Sequence, residues 1–514
     1  MQRDTDKLSE GRYDLLILGA GIQGAYIARL AAAAGLSVAL VDRGDFGAGT
    51  SHNSFKLIHA GFRYLQHADV RRIRQSITST RDWLQTAPEF IEPRAFLMPT
   101  YGHGIRGPEA LFIAGKLYSM LTMDRNRGLT DAAKLPAAHV LSRAEVMKRL
   151  PDIPTEKLSG GVVWYDGQIQ DADRLLLRTV QRAVNDGADV ANHLEAKALI
   201  REGDAICGAE LEDALTGRSV NIRAAMTVLS CGPWTSSFLQ TQGLGSPNDL
   251  GSALVKGINL VIRGRRLECG LGVASRRTAD AVIGQSKRLY FLTPWNDCTV
   301  AGTTHEPYTG DPAEFEITAD DVSAFVAQLN RAYPKLALEL SDVVYCYGGL
   351  TPGNDGADLS SMRSRTSAIV DHETSEGIRG LMSVVGVKYT TSAYLARRVV
   401  SHLVKRFGRE LGSHEQLRPL FDNGEFDEYM QRLDESKPDE WVTHAVKNEM
   451  AVDLTDTLLR RSNLAERGKL SLSDEHQAAS VMQRLHGWSD EQTSSQLQAL
   501  QDELDQHHAS LTAG

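Results

Sequence analysis

One turn constrains this chain more than anything else in it: Gly19-Ala20-Gly21-Ile22-Gln23-Gly24. The apolar run Tyr13 to Leu18 precedes it and predicts a short strand. The Ala-rich stretch Ala25 to Ala34 follows and predicts a tightly packed helix that ends at Gly35. Ser37 to Val41 is a second apolar strand with Asp42 at its tip. Strand, turn, helix and strand form a complete βαβ unit, the setting in which G-x-G-x-x-G holds a dinucleotide. Gly19 makes the tight turn, Gly21 admits a pyrophosphate close to the backbone, and Gly24 lets helix and strand pack. Bare N–H groups at the helix start point at the anion. Asp42 lies 18 residues beyond Gly24, suits ribose hydroxyls and repels a 2′-phosphate, which disfavours NADP.

At roughly 100–200 residues per domain, a chain of 514 residues holds two to four domains. A net charge of -9 gives no support to nucleic-acid binding, which leaves a basic footprint. Cys207, Cys231, Cys269, Cys298 and Cys346 are scattered and form no Cys-x-x-Cys pair. They read as reduced thiols, with neither a disulfide scaffold nor a metal site expected. Met1 to Gly11 lacks the apolar stretch of a signal peptide, and no run approaches the ~20 apolar residues of a membrane span. The expected location is cytoplasmic, with peripheral contact on the cytoplasmic membrane face left open.

Further along, Ala68 to Leu84 predicts a helix, and Asp311 to Tyr333 reads as one helix. Strand patterns occupy residues 185–230 and 251–305, with apolar strands at 343–347 and 381–385. Residues 415–514 are almost purely helical in pattern, so a domain boundary is expected near 410.

The glycine turn alone does not separate NAD from FAD. Three later segments do. Asp45 to Ser51 leads from the second strand into Lys56-Leu57-Ile58-His59-Ala60-Gly61-Phe62-Arg63-Tyr64-Leu65. Ser230-Cys231-Gly232-Pro233-Trp234 closes a buried strand. Val385-Gly386-Val387-Lys388-Tyr389-Thr390-Thr391 closes another and opens a helix, whose N-terminus suits the negative charge of a reduced flavin.

At these residues the chain resembles the FAD-dependent glycerol-3-phosphate dehydrogenases of the respiratory type, over essentially its whole length. Ser54 to Leu65 is similar to that family's S-S-K-L-I-H-G-G-L-R-Y-L, and Ser230 to Trp234 to its A-T-G-P-W. Pro294-Trp295 with Gly302-Thr303-Thr304, Val384 to Thr391, and the tail with Glu449, Arg460 and Arg461 match in the same order. The resemblance implies an α/β fold. It comprises a Rossmann-type FAD-binding domain (12–90, 160–250 and 341–410), a β-sheet-containing substrate domain (91–159 and 251–340) and a C-terminal all-α domain (411–514). It also implies hydride transfer from C2 of sn-glycerol 3-phosphate to flavin N5, giving dihydroxyacetone phosphate, with the electrons passing to a quinone or to oxygen. The helical domain suits either a cap on the site or a subunit contact, so a homodimer stays open.

Residue by residue, the resemblance assigns the catalytic centre to His59, Arg63 and Lys388. His59 either takes the carbinol proton or tethers the flavin loop. Arg63 and Tyr64 suit phosphate oxygens, and Lys388 lies beside the flavin. Gly19, Gly21, Gly24, Asp42, Thr50, Ser51, Lys56, Leu57, Gly232, Trp234, Gly386 and Thr390 are expected around FAD, with Trp234 mainly packing. Two departures bear on the substrate. Thr351 stands where the family has the Arg of G-V-R-P, and His305 where it has the Asp of G-T-T-D. Losing a buried charged contact costs about 2–5 kcal/mol. Phe55 and Val387 add bulk, and Ala60 replaces a Gly. Three readings follow. In one the chain is a true glycerol-3-phosphate dehydrogenase, with Arg363 or Arg365 assisting the phosphate. In another it is a relative acting on a different hydroxyl or amine. In the last it is a flavin-fold binding protein without turnover.

Overall fold

The strand Arg12–Leu18 runs parallel to Val38–Val41 on one side and to Ser219–Leu229 on the other. Leu15, Leu16 and Ile17 are wholly buried because both faces of this sheet are covered, which explains their unbroken apolar run. The computed structural model describes residues 1–67, 69–102, 108–245, 250, 253–274, 289–353, 367–409, 418–422 and 424–508. The first sheet runs Ala368–Asp371, Leu381–Val385, Ser219–Leu229, Arg12–Leu18, Val38–Val41 and Asp189–Ala191. A hairpin of Leu194–Glu202 and Ala205–Asp213 extends from Ser219–Leu229. The helix Ile22–Ala33 packs between Ala172–Asn185 and Ser392–Arg406. Gly24 permits this: a Cβ there would lie 1.9 Å from the Gly19 carbonyl oxygen. Gly19 itself holds φ at +102°, a conformation that side chains rarely adopt.

The second sheet is mostly antiparallel. Its backbone path runs Glu306–Tyr308, Leu254–Ile262, Cys298–Gly302, Leu289–Trp295, Gly270–Ala274, Ile91–Tyr101, Leu158–Ile169 and Leu57–Ile58. The strand expected at 343–347, and a strand over 158–169 that was not foreseen, lie largely in the segments assigned to the FAD-binding domain but belong to this sheet. Val343–Pro352 pairs with Leu254–Ile262, and Leu158–Ile169 pairs with Ile91–Tyr101. The apolar run at 343–347 was legible, but strand pairing depends on partners far away in sequence. The single helix expected over 311–333 is also corrected. Pro312–Glu314 forms a 3-10 turn, and the helix is Ala319–Ala332, started by a capping box of Thr318 and Asp321.

The C-terminal helices Pro438–Glu449, Leu454–Arg460, Leu472–His486 and Asp490–His508 bury Trp441, Leu458, Met482 and Leu500 against Trp295, Tyr345 and Tyr347 of the second sheet. Charged groups join the same helices to the first domain. Asp45, 1% exposed, accepts from Arg460 Nε at 2.9 Å and from Arg461 Nη1 at 2.7 Å. Arg174 reaches Glu449 at 3.0 Å. Among the described residues, no helix is long and apolar enough to cross a membrane.

Removing one partner of a buried ion cluster strands the others. Asp45→Asn is therefore expected to lower stability by about 3–5 kcal/mol, measured by urea denaturation of the flavin-loaded protein. A loss below about 1 kcal/mol would show that this anchor contributes little.

Candidate active site

A cavity of 1810 Å³ is lined by residues of both sheets and of the helices between them. Its walls include the glycine turn, the tip of Val38–Val41, the loop 47–61, the turn 230–234 and the segment 386–391. Val255, Asn259, Phe291, Thr303, His305 and Thr351 come from the second sheet and its connections.

The dinucleotide end can be built from its residues upward. Gly21 caps the Ile22–Ala33 helix with no side-chain hydrogen bond, which leaves first-turn N–H groups for an anion. Ser51 Oγ accepts from Ile22 N at 2.9 Å, tying the loop to that turn. Asp42 accepts from Ala20 N at 2.6 Å and from Gly44 N at 3.1 Å. Burial raises its carboxyl above the usual range, with those two bonds opposing. Each carboxylate oxygen keeps a second lone pair for a ribose hydroxyl. Thr50 Oγ1 donates to Leu350 O at 3.1 Å and bridges to the second sheet. Arg43 lies over the Trp234 ring, 4.4 Å from its centroid. Gly232, Gly386, Lys388, Thr390 and Leu57 line the same cavity. Among the described residues, three cavity-lining polar atoms are buried with no partner: Ser54 Oγ, Ser230 Oγ and Trp234 Nε1. Buried polar groups require partners, so a glycine cradle with orphaned donors fits a bound FAD.

At the reacting end, His59 Nδ1 lies 3.3 Å from Asp166 Oδ2. Asp166 also accepts from Ala60 N at 2.7 Å and from Trp164 Nε1 at 3.1 Å. These bonds fix the carboxylate, which holds the His59 proton on Nδ1 and leaves the Nε2 lone pair to accept another. His59 N donates to Thr390 Oγ1 at 2.9 Å, so the two flavin segments meet here. The His59 side chain is 38% exposed and Asp166 4%. Lys388 Nζ sits 4.4 Å from the centroid of the Tyr64 ring. His305 Nδ1 donates to Thr303 O at 3.3 Å. Thr303 in turn donates to Asn259 Oδ1 at 2.6 Å. Thr351 and His305 both line the cavity, as do Phe55 and Val387.

One expected cofactor residue is corrected. Lys56 is wholly buried and lies outside the cavity lining that Phe55 and Leu57 join; it precedes the strand Leu57–Ile58 with a left-handed φ of +57°, and its side chain enters a buried ion cluster. Its Nζ donates to His52 O at 2.9 Å and Glu466 Oε1 at 3.0 Å, and lies 3.5 Å from Asp173. Gly24 serves packing rather than the cavity wall. Arg63 lies in the 3-10 turn Phe62–His67, but its side chain falls outside the described residues, as do Arg363 and Arg365. Asp166 was missed: an acid inside an otherwise apolar strand is its only sequence signal. Two triads bring possible metal-ligand atoms together, Asp45-His193-Asp456 and His52-Asp173-Glu466. Arg460 and Arg461 neutralise the first, and Lys56 the second.

Residues 14–402 match the family of FAD dependent oxidoreductases. Residues 372–493 match the C-terminal domain of alpha-glycerophosphate oxidase. The alpha-glycerophosphate oxidase of Streptococcus pyogenes serotype M6 is 33% identical over 363 residues. That match covers 70% of this chain and 57% of the relative, little more than half of its length. The glycerol-3-phosphate dehydrogenase of Synechocystis is 28% identical over 420 residues, 79% of this chain and 72% of that protein. The glycerol-3-phosphate dehydrogenase of Bacillus halodurans, solved in complex with FAD, has the same fold. It superposes with a TM-score of 0.72 at 21% identity, covering 99% of this chain and 97% of that one.

Proposed function

The chain belongs to the family of FAD dependent oxidoreductases, and from that premise we propose that it oxidises sn-glycerol 3-phosphate to dihydroxyacetone phosphate. FAD bound along the glycine turn supplies the hydride acceptor for the C2 hydrogen. His59 Nε2 takes the proton of the C2 hydroxyl, and Asp166 stabilises the imidazolium that results. Lys388 and Tyr64 hold the phosphate end, with Arg63 expected beside them. The observation that carries this reading is the His59–Asp166 pair in the cavity that Lys388 and Tyr64 also line. The names of the relatives support it.

A second reading, a different hydroxyl or amine substrate, rests on Thr351 and His305. Both line the cavity where the resembling family keeps an Arg and an Asp.

For the electron acceptor we propose a quinone reached at a membrane surface. The helix Pro108–Leu121 and the turn after it expose Ile113 at 68%, Leu117 at 44%, Met120 at 57% and Met123 at 78%. The spacing of the first three sets them on one helical face. The opposite face turns Tyr118 inward, where its hydroxyl donates to Ala60 O at 2.8 Å, beside His59. An apolar patch of this kind marks an interaction surface.

Anaerobic addition of sn-glycerol 3-phosphate is expected to bleach the flavin band. Bleaching only by another alcohol or amine would favour the second reading. In that case Thr351→Arg with His305→Asp should raise glycerol-3-phosphate turnover, and no gain in a folded protein removes the coupling of these positions. Asp166→Asn should lower kcat by roughly 100-fold or more while KM changes little; an unchanged kcat would remove His59 as the positioned base. The purified protein should float with phosphatidylglycerol vesicles, and Ile113→Asp with Met120→Asp should abolish flotation yet spare turnover with a soluble quinone. A wild-type protein that stays with the soluble fraction overturns the membrane contact.

A further inference from the structure

A phosphate monoester carries about 1.5 to 2 negative charges at neutral pH. It would approach a chain whose own net charge is -9, and the average field opposes that encounter. The helical wall of the cavity carries the opposite sign. Arg71 and Arg72 of the helix Val70–Thr86, Lys388, and Arg398 of the helix Ser392–Arg406 all line it. Arg72 and Lys388 lie 6.0 Å and 4.4 Å from the centroid of the same Tyr64 ring, so two cations gather on one side chain.

Fold stability does not account for this placement. Arg71 and Arg72 sit in the first turn of their helix, where the macrodipole disfavours positive charge and the turn itself holds no acid. Asp69, the N-cap, reaches Arg72 at 3.2 Å, but both side chains are substantially exposed. Neighbouring arginines of the same two helices are paired. Arg74 meets Asp124 at 2.5 Å, Arg81 meets it at 2.9 Å, and Arg397 meets Asp82 at 2.9 Å. Among the described residues, the exposed Arg71 and Arg398 have no ion-pair partner. Elsewhere in the lining, Asn53, Asn259, Thr303 and Thr351 are neutral, while Glu316 and Glu503 add negative charge away from the two helix starts.

The geometry points to Arg71, Arg72 and Arg398 as an anion-collecting mouth, which selects phosphorylated over unphosphorylated polyols and delivers the phosphate toward Lys388 and Tyr64. This rests on the polyol-phosphate reading above. The three arginines act at a distance, by attraction, and touch no reacting atom. Their effect must therefore fade with salt, because the screening length falls from about 10 Å at 0.1 M to about 3 Å at 1 M.

The test is the FAD-loaded Arg71→Gln/Arg398→Gln variant, assayed with sn-glycerol 3-phosphate and with glycerol at low and at about 1 M salt. For the phosphate ester, kcat/KM should fall about 10-fold at low salt with kcat retained. The gap to wild type should close at high salt, and glycerol turnover should not change. Arg71→Glu should deepen the low-salt loss. A loss shared equally by glycerol, a loss indifferent to salt, or no loss at all overturns the mouth. A wild-type enzyme that sn-glycerol 3-phosphate cannot reduce at any salt rejects the substrate reading instead.

Discussion

The Asp45 carboxylate, buried where the second strand of the βαβ unit gives way to the flavin loop, accepts from Arg460 and Arg461 of the last domain. Moving such charges out of water costs several kcal/mol each, recovered only when every partner is in place. Asp45 therefore ties the loop to helices more than four hundred residues away in sequence. Eleven residues on, Lys56 does the same through Glu466 and Asp173. Burial raises the Glu466 carboxyl above its usual range, against the pull of Lys56 and with Asp173 adding to the rise. Between and just after these anchors lie Thr50, Ser51, Phe55, Leu57 and His59, the loop's contribution to the cavity. The placement of the reacting end thus depends on ionic contacts outside it.

Within the cavity, charge is divided by wall. The second sheet offers Asn259, Thr303, His305 and Thr351, joined by hydrogen bonds such as Thr303 to Asn259. The helices and the segment before the last strand-following helix offer Arg71, Arg72, Lys388 and Arg398. His59 stands between these environments, oriented by Asp166 from the second sheet. An arginine at position 351 would place a cation on the sheet wall, whereas here Arg71, Arg72 and Arg398 stand on the helical one. That redistribution bears directly on which end of a substrate lies where.

Much of the fold was legible because it is written in local patterns. The glycine turn, its flanking apolar strands and Asp42 all lie within about thirty residues, and the strand, helix and strand form where the pattern places them. Lys56 and Asp166 mark the boundary of that legibility. Lys56 stands in a motif that points to FAD, yet its side chain is drawn into a buried cluster with Glu466 and Asp173 and takes no part in the cavity lining. Asp166 stands in no motif, yet strand pairing brings it to His59 and Ala60. The strand at 343–347 was visible as a strand but its sheet was not, and Leu158–Ile169 was not visible as a strand at all.

The sequence by itself determined the βαβ unit, the family resemblance and several of the segments that line the cavity, because these depend on steric rules acting over a few residues. Gly24 is the plainest case, since only a residue without a Cβ lets helix and strand approach as they do. Tertiary structure alone decided which face each side chain takes and which distant charges meet. It drew Lys56 into a buried ion cluster, supplied Asp166 to His59, and assembled arginines from two helices along one wall. Those outcomes depend on burial and Coulomb attraction between residues far apart in the chain, and no local spacing encodes them.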